Sequence, residues 1–277
     1  MGNSKRSVIW KTLMYIILIT YAIITIIPFL WAISTSFKPL SEIVQGGMSF
    51  IPQNFTLENY KTVFVQEPLF PRWFFNSVFI AVTVVLCNLL FNSMAGYALA
   101  RIAFTGSKFW FFLIVAVLMV PFQVTLIPSY LLLKWLGFLN AYEGLIVPAM
   151  VSATYIFMMR QFLLNFPREM EEAAFIDGLG RMGIFFRMVL PHAKPALAAQ
   201  AIFIFLGSWN DFIRPLIIMS EKAMFTLPLG LATFRGQYIS FTNLIMAASV
   251  IITIPALIIY ICFNRFFVKG ISFTGLK

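Results

Sequence analysis

The chain has 277 residues, 61% of them hydrophobic and 11% charged, with a net charge of +10 and a mean hydropathy of +0.90. So apolar a composition excludes a freely soluble monomer. The basic residues flank apolar runs instead of forming a patch, which reads as membrane topology and argues against nucleic acid as a partner. A hydrocarbon core about 30 Å thick takes about 20 apolar residues per helix, so one membrane domain of about six or seven crossings fits.

The first apolar run, residues 13–33, follows Lys5, Arg6 and Lys11. Its length and the bulky Pro28, Phe29, Leu30 and Trp31 near its end mark a retained span and not a cleaved signal peptide. Residues 38–73 hold prolines, asparagines and scattered charges, and predict an ordered outer loop or short helices. Further apolar runs at 77–100, 109–133, 142–159, 196–219 and 242–263 bring the expectation to an all-α protein with six transmembrane helices. The organisation is a first helix and outer loop over 1–72, a core over 73–267 and a cytoplasmic tail over 268–277. With the N-terminus inside, Lys38, Lys61, Arg72, Lys134, Arg214, Lys222 and Arg235 fall on the outer side. The other thirteen of the twenty lysines and arginines fall inside, which favours two cytoplasmic termini.

Within the spans, polar side chains are few. Asn88 and Asn92 lie one turn apart in the second span and are followed by Gly96. Amides there hold helices together or meet a solute, and the glycine allows close approach. In the third span, Gln123 and Thr125 lie between Pro121 and Pro128, which permit bending and suit a gated pathway. Trp209 and Asn210 pair an aromatic plane with an amide, suited to contact with a solute or to interfacial anchoring. At about 1.5 Å per residue, Asp211 lies roughly 22 Å into a fifth span beginning at Ala196. The i,i+3 spacing lets it pair with Arg214, either as a structural ion pair or as part of an outer vestibule.

Cys87 and Cys262 fall in apolar runs, so no disulfide framework is implied. His192 is the sole histidine, which leaves no basis for a metal site or a catalytic relay. The chain contains no G-x-x-x-x-G-K-[ST] loop, so any nucleotide hydrolysis belongs to another subunit.

The segment 167–191, PREMEEAAFIDGLGRMGIFFRMVLP, carries four of the ten acidic residues. Pro167 suits a helix start, where its missing N–H costs nothing, and Glu169, Glu171 and Glu172 favour the positive helix end. Gly178 can end the helix in the left-handed region, with Gly180 and Gly183 in the turn that follows. Pro191 closes a second short helix that carries Phe185, Phe186 and Met188. A helical hairpin with clustered acids is ill suited to an anionic lipid surface and well suited to docking a protein.

The order E-A-A, three residues, G, nine residues, an aliphatic residue, one residue, L-P resembles the cytoplasmic signature of permease subunits of binding-protein-dependent ABC importers. It falls on Glu172, Ala173, Ala174, Gly178, Met188, Leu190 and Pro191, with Met188 where isoleucine is usual. FTLENYKTVF, NSVFIAVTVV, SMAGYALAR, GSWNDFIRPL and RFFVKGIS extend the resemblance to the smaller of the two permeases in carbohydrate importers of the maltose and multiple-sugar type. The resemblance implies a type I importer transmembrane domain with a cytoplasmic coupling hairpin and no catalytic, metal or cofactor site on this chain. It implies a second permease, two ATP-binding subunits that hold ATP and Mg, and an extracytoplasmic sugar-binding protein, in a bacterial or archaeal cytoplasmic membrane. Coupling to the ATPase would fall to Glu171, Glu172, Ala173, Ala174, Asp177, Gly178, Met188, Leu190 and Pro191. The candidate pathway or sugar contacts are Asn88, Asn92, Gln123, Trp209, Asn210 and Asp211. Rival readings are an importer for another solute, such as glycerol phosphate or a polyamine, and an ion-coupled carrier.

Overall fold

A computed structural model describes residues 2–45, 49–234 and 241–272, with only the backbone for 2–9 and 264–272. Residues 235–240 of the expected outer loop and 273–277 of the expected tail lie outside the described residues. Every described element is helical. In chain order they begin with α1 (Gly2–Ser36), α2 (Leu40–Gln45), α3 (Glu58–Gln66) and α4 (Phe70–Arg101). The middle of the chain forms α5 (Ser107–Leu118), α6 (Phe122–Trp135), α7 (Tyr142–Ile146) and α8 (Ala153–Leu164). A hairpin follows, of α9 (Arg168–Ile176), α10 (Arg181–Ile184) and α11 (Leu190–His192), with a π-helical turn at Phe185–Val189 between the last two. The chain closes with α12 (Lys194–Trp209), α13 (Ile213–Ile218), α14 (Leu227–Ala232) and α15 (Thr242–Ser272).

Four stretches are long and apolar enough to cross a bilayer, namely Trp10–Ser36, Phe70–Arg101, Tyr142–Leu164 and Thr242–Phe263. The expected third and fifth spans are not continuous helices. Between α5 and α6 the axis turns by 103°, because Val120 precedes Pro121, whose ring disfavours helical backbone in the residue before it. The expected fifth span is a continuous helix only as far as Trp209, ten residues short of the expected Met219, and just before it the chain bends by 77° where Arg181–His192 meets Lys194–Trp209.

The chain folds as two compact units, Met1–Phe70 with Leu231–Ile254, and Pro71–Gly230 with Pro255–Lys277. In the first, no residue of the most apolar stretch of α1 is buried, so that helix depends on lipid or another apolar surface to cover it. The expected loop is ordered there. Buried Asn59 donates to the carbonyls of Ser36 and Lys38, both at 2.8 Å, and accepts from Asn243 at 2.7 Å. Phe37 stacks on Phe55 with centroids 5.0 Å apart. The Glu42 carboxylate accepts the backbone N–H groups of Gln53 and Asn54 at 2.9 Å each, and these bonds hold its pKa below the usual carboxylate range.

The second unit is organised along α4, whose length carries two cores. Ile80 and Val84 pack with Leu133, Leu145, Ile204 and Ile218, while Tyr97 packs with Met159, Leu163, Ala174, Ile184 and Phe185. Gly96 sits where α4 meets α8: a Cβ there would lie 2.8 Å from Met159 Cβ and 3.0 Å from the Arg160 nitrogen. At the start of α4, Trp73 donates to the Lys222 carbonyl at 2.6 Å, and Asn76 donates to those of Ala223 and Phe225 at 3.0 and 2.9 Å. The irregular segment after α13 is thereby stapled to a straight helix, so its carbonyls are satisfied inside the protein.

Candidate functional site

The α9 hairpin is built by local capping. Pro167 stands just before the first turn with extended ψ of 130°, so the helix starts one residue later than the expected position, at Arg168, with Glu169 and Glu171 in its first turn. Gly178 has φ +85° and open space around its Cα, so it is required by its backbone conformation and not by a neighbour. Leu179 N–H donates to Ala174 at 3.0 Å and Gly178 N–H to Phe175 at 3.1 Å, the paired bonds of a Schellman end. Gly180 lies in the connection between α9 and α10 as expected, with ordinary extended backbone, while Gly183 lies inside α10 and not in the turn.

The second arm is longer than two turns, because α10, the π turn and α11 run on from Arg181 to His192. Leu190 N–H donates to the Phe185 carbonyl, an i to i−5 bond that widens the helix next to Pro191, whose own N–H is missing. Phe185 is buried against Tyr97 with centroids 5.5 Å apart, and Met188 and Leu190 pack partly onto the same core. Of the three apolar residues expected on a docking arm, only Phe186 is exposed.

Across α9 the acids divide. Glu172, Ala173 and Asp177 are exposed, and with them Phe175 at 53% and Ile176 at 87%. Glu171 and Ala174 face inward. The Glu171 carboxylate meets Arg101 Nε at 3.1 Å and accepts from the Tyr97 hydroxyl at 3.3 Å. Glu171, expected on the docking face with Glu172, therefore does not present its carboxylate there. Tyr97 and Arg101 share one face of α4 by their i,i+4 spacing, a signal visible in the sequence but without a partner until the chain folds.

A cleft of about 380 Å³ lies beside α12, lined among others by Asn88, Ser152, Tyr155, Ser208, Asp211, Arg214 and Thr226. Asp211, in the non-helical link after Trp209, pairs at 3.7 Å with Arg214 in the first turn of α13, so the pair is not within a continuous span, and the Arg214 guanidinium lies 4.7 Å from the Phe122 ring centroid. Of the expected pathway residues, Asn88 and Asp211 reach this cleft. Asn88 donates to Val84 at 2.8 Å and Ala149 at 2.5 Å, and its own oxygen accepts from Asn92 at 2.8 Å. Asn92 in turn accepts Ser152 N–H at 3.1 Å. These buried amides satisfy the broken backbone between α7 and α8. Trp209 is buried, stacked on Phe205 at 5.5 Å with Phe74 edge-on at 5.9 Å, which leaves no ring face for a sugar. Asn210 is exposed and donates to the Leu206 carbonyl at 2.9 Å, while Gln123 is exposed on the first turn of α6. Sequence reasoning missed Tyr155, Ser152, Ser208 and the buried Thr226, because each lies on a different element.

Helices able to cross a bilayer, a span bent at Pro121 and an exposed hairpin define a helical membrane protein. Residues 92–272 match the family described as "Binding-protein-dependent transport system inner membrane component", and the chain belongs to that family. It is 40% identical over 275 residues to the arabinooligosaccharides transport system permease protein AraQ of Halalkalibacterium halodurans, covering 99% of each chain. It is 32% identical over 279 residues to the trehalose/maltose transport system permease protein MalG of Thermococcus litoralis, again over 99% of each. The fold matches a chain of a crystal structure of a bacterial ABC transporter involved in the import of the acidic polysaccharide alginate, with a TM-score of 0.85, 23% identity and coverage of 94% and 96%.

Proposed function

We propose that the chain is the permease subunit of an ATP-driven importer that carries a sugar or oligosaccharide through the membrane with a second permease. ATP and Mg act on two partner ATP-binding subunits, and an extracytoplasmic sugar-binding protein delivers the substrate. The observation that carries this reading is the outward face of α9, where exposed Phe175 and Ile176 stand between the acids Glu172 and Asp177. An apolar centre with a charged rim suits a groove on a water-soluble partner. In this reading Glu172, Ala173, Asp177 and Gly178 meet the ATPase, and Glu171, Ala174, Met188, Leu190 and Pro191 hold the hairpin to the spans. Both termini and α9 lie on the cytoplasmic side.

The sugar assignment draws on the relatives named for arabinooligosaccharides and for trehalose/maltose. The cleft supports an uncharged cargo: the Arg214 charge is already balanced by Asp211, and the hydroxyls of Ser152, Tyr155, Ser208 and Thr226 stand among apolar side chains in the lining. Co-expression of both permeases, the ATPase and the binding protein in proteoliposomes tests the reading. ATP-dependent uptake of an arabinose or glucose oligosaccharide is expected, and Ile176→Asp should release the ATPase from the purified complex. Uptake driven by an ion gradient without ATP would overturn it.

A further inference from the structure

At the inner face of α9, three elements converge on one side chain. Arg101, the last residue of α4, is 4% exposed at its side chain and Glu171 is 11% exposed, and their 3.1 Å contact is an ion pair withdrawn from solvent. The same guanidinium donates to the Leu163 carbonyl at 2.6 Å and to the Phe166 carbonyl. Leu163 lies in the last turn of α8, its carbonyl also accepting the Phe166 N–H at 3.1 Å, and Phe166 lies in the link to α9. The second carboxylate oxygen of Glu171 accepts from Tyr97, one turn back on α4. One planar fork thus closes the end of α8, ends α4 and grips α9.

We propose that Arg101 is a positioning residue that makes α9 and the end of α4 move as one body, with Glu171 as its grip on α9 and Tyr97 as a brace. This rests on α9 being the surface that receives the ATPase. The physical reason is directional. Apolar contacts such as Ala174 against the Tyr97 cluster have no preferred angle and allow sliding. The Arg101 guanidinium has its plane fixed by the Leu163 and Phe166 carbonyls and meets Glu171 as a buried ion pair, and an ion left without its partner there is strongly unfavourable. Adjacent Glu171 and Glu172 would therefore serve opposite ends of one lever, the first fastening it and the second receiving the push.

The test uses the assembled complex with spin labels replacing Leu86 on α4 and Glu169 on α9, both exposed, in a background lacking Cys87 and Cys262. The native pair should give one narrow distance that holds with and without ATP. Glu171→Gln, which keeps the shape and removes the charge, should broaden it, and Arg101→Lys, which keeps the charge and removes the fork, should broaden it less. Sugar imported per ATP hydrolysed should fall about tenfold in Glu171→Gln, a coupling loss of ordinary size. A distance as narrow in Glu171→Gln as in the native chain would overturn the proposal. A native complex that hydrolyses ATP but imports no sugar would count against the transport reading alone, because the label distance does not depend on import.

Discussion

The α9 hairpin and the cleft beside α12 are both polar interruptions of an apolar chain, yet they are assembled differently. The hairpin closes on bonds between near neighbours, such as Leu179 to Ala174 and Gly178 to Phe175. The cleft is lined by residues of α4, α8, α12 and the links between them, and its wall is held by bonds such as Asn88 to Ala149, 61 residues away. A locally closed element can protrude and be gripped while keeping its own shape. A cleft made from several spans changes shape whenever any of them shifts, as a transport pathway must.

Substitutions can break that contrast, beginning with the two neighbouring glutamates. Glu171→Ala strands the Arg101 charge and should lower stability by about 3–5 kcal/mol. Glu172→Ala, on the exposed side, should stay within about 0.5 kcal/mol while weakening capture of the ATPase. Equal thermal unfolding midpoints for the two purified variants would erase the division of α9 into a fastened and a free face.

Two glycines separate tertiary from local demands. A Cβ on Gly230 would lie 2.0 Å from Trp73 Cε3, so Gly230→Ala should cost about 1–3 kcal/mol by overpacking, read as a lower unfolding midpoint. Gly178 has nothing within 4 Å but a φ of +85°, so Gly178→Ala should cost about 1–2 kcal/mol through backbone strain alone. Gly178→Asn should recover part of that loss, since Asn tolerates the left-handed region, whereas an equal loss for Ala and Asn would point to a hidden steric contact.

The smallest effect concerns the loop of the first unit. Glu42 has a pKa lowered by the Gln53 and Asn54 backbone bonds, so its contribution is complete above the ordinary carboxylate pKa and fades as pH falls through the folded value. Hydrogen exchange at those two amides, corrected for intrinsic rates, should accelerate on acidification in the native chain. Glu42→Gln should flatten that dependence.

Much of the hairpin was legible because capping is local chemistry: a proline, acids in the first turn and a glycine at the left-handed position specify a short helix with defined ends. The unbroken spans were legible for the same reason, since apolar length is a property of consecutive residues. The broken spans were only half legible. Pro121 announced the bend before α6, but no single residue announced that α12 would stop at Trp209, where the chain leaves the helix for a three-residue link before α13.

By itself the sequence determined an all-helical membrane protein with a protruding hairpin and the signature that goes with it. Only the tertiary structure decided which way each side chain faces. Glu171 and Glu172 are chemically identical neighbours, and about 100° of helical rotation turns one toward Arg101 and the other toward solvent. Trp209 became a buried packing residue because Phe205 and Phe74 cover its ring. Orientation of this kind depends on partners far along the chain, and no spacing within a single helix encodes them.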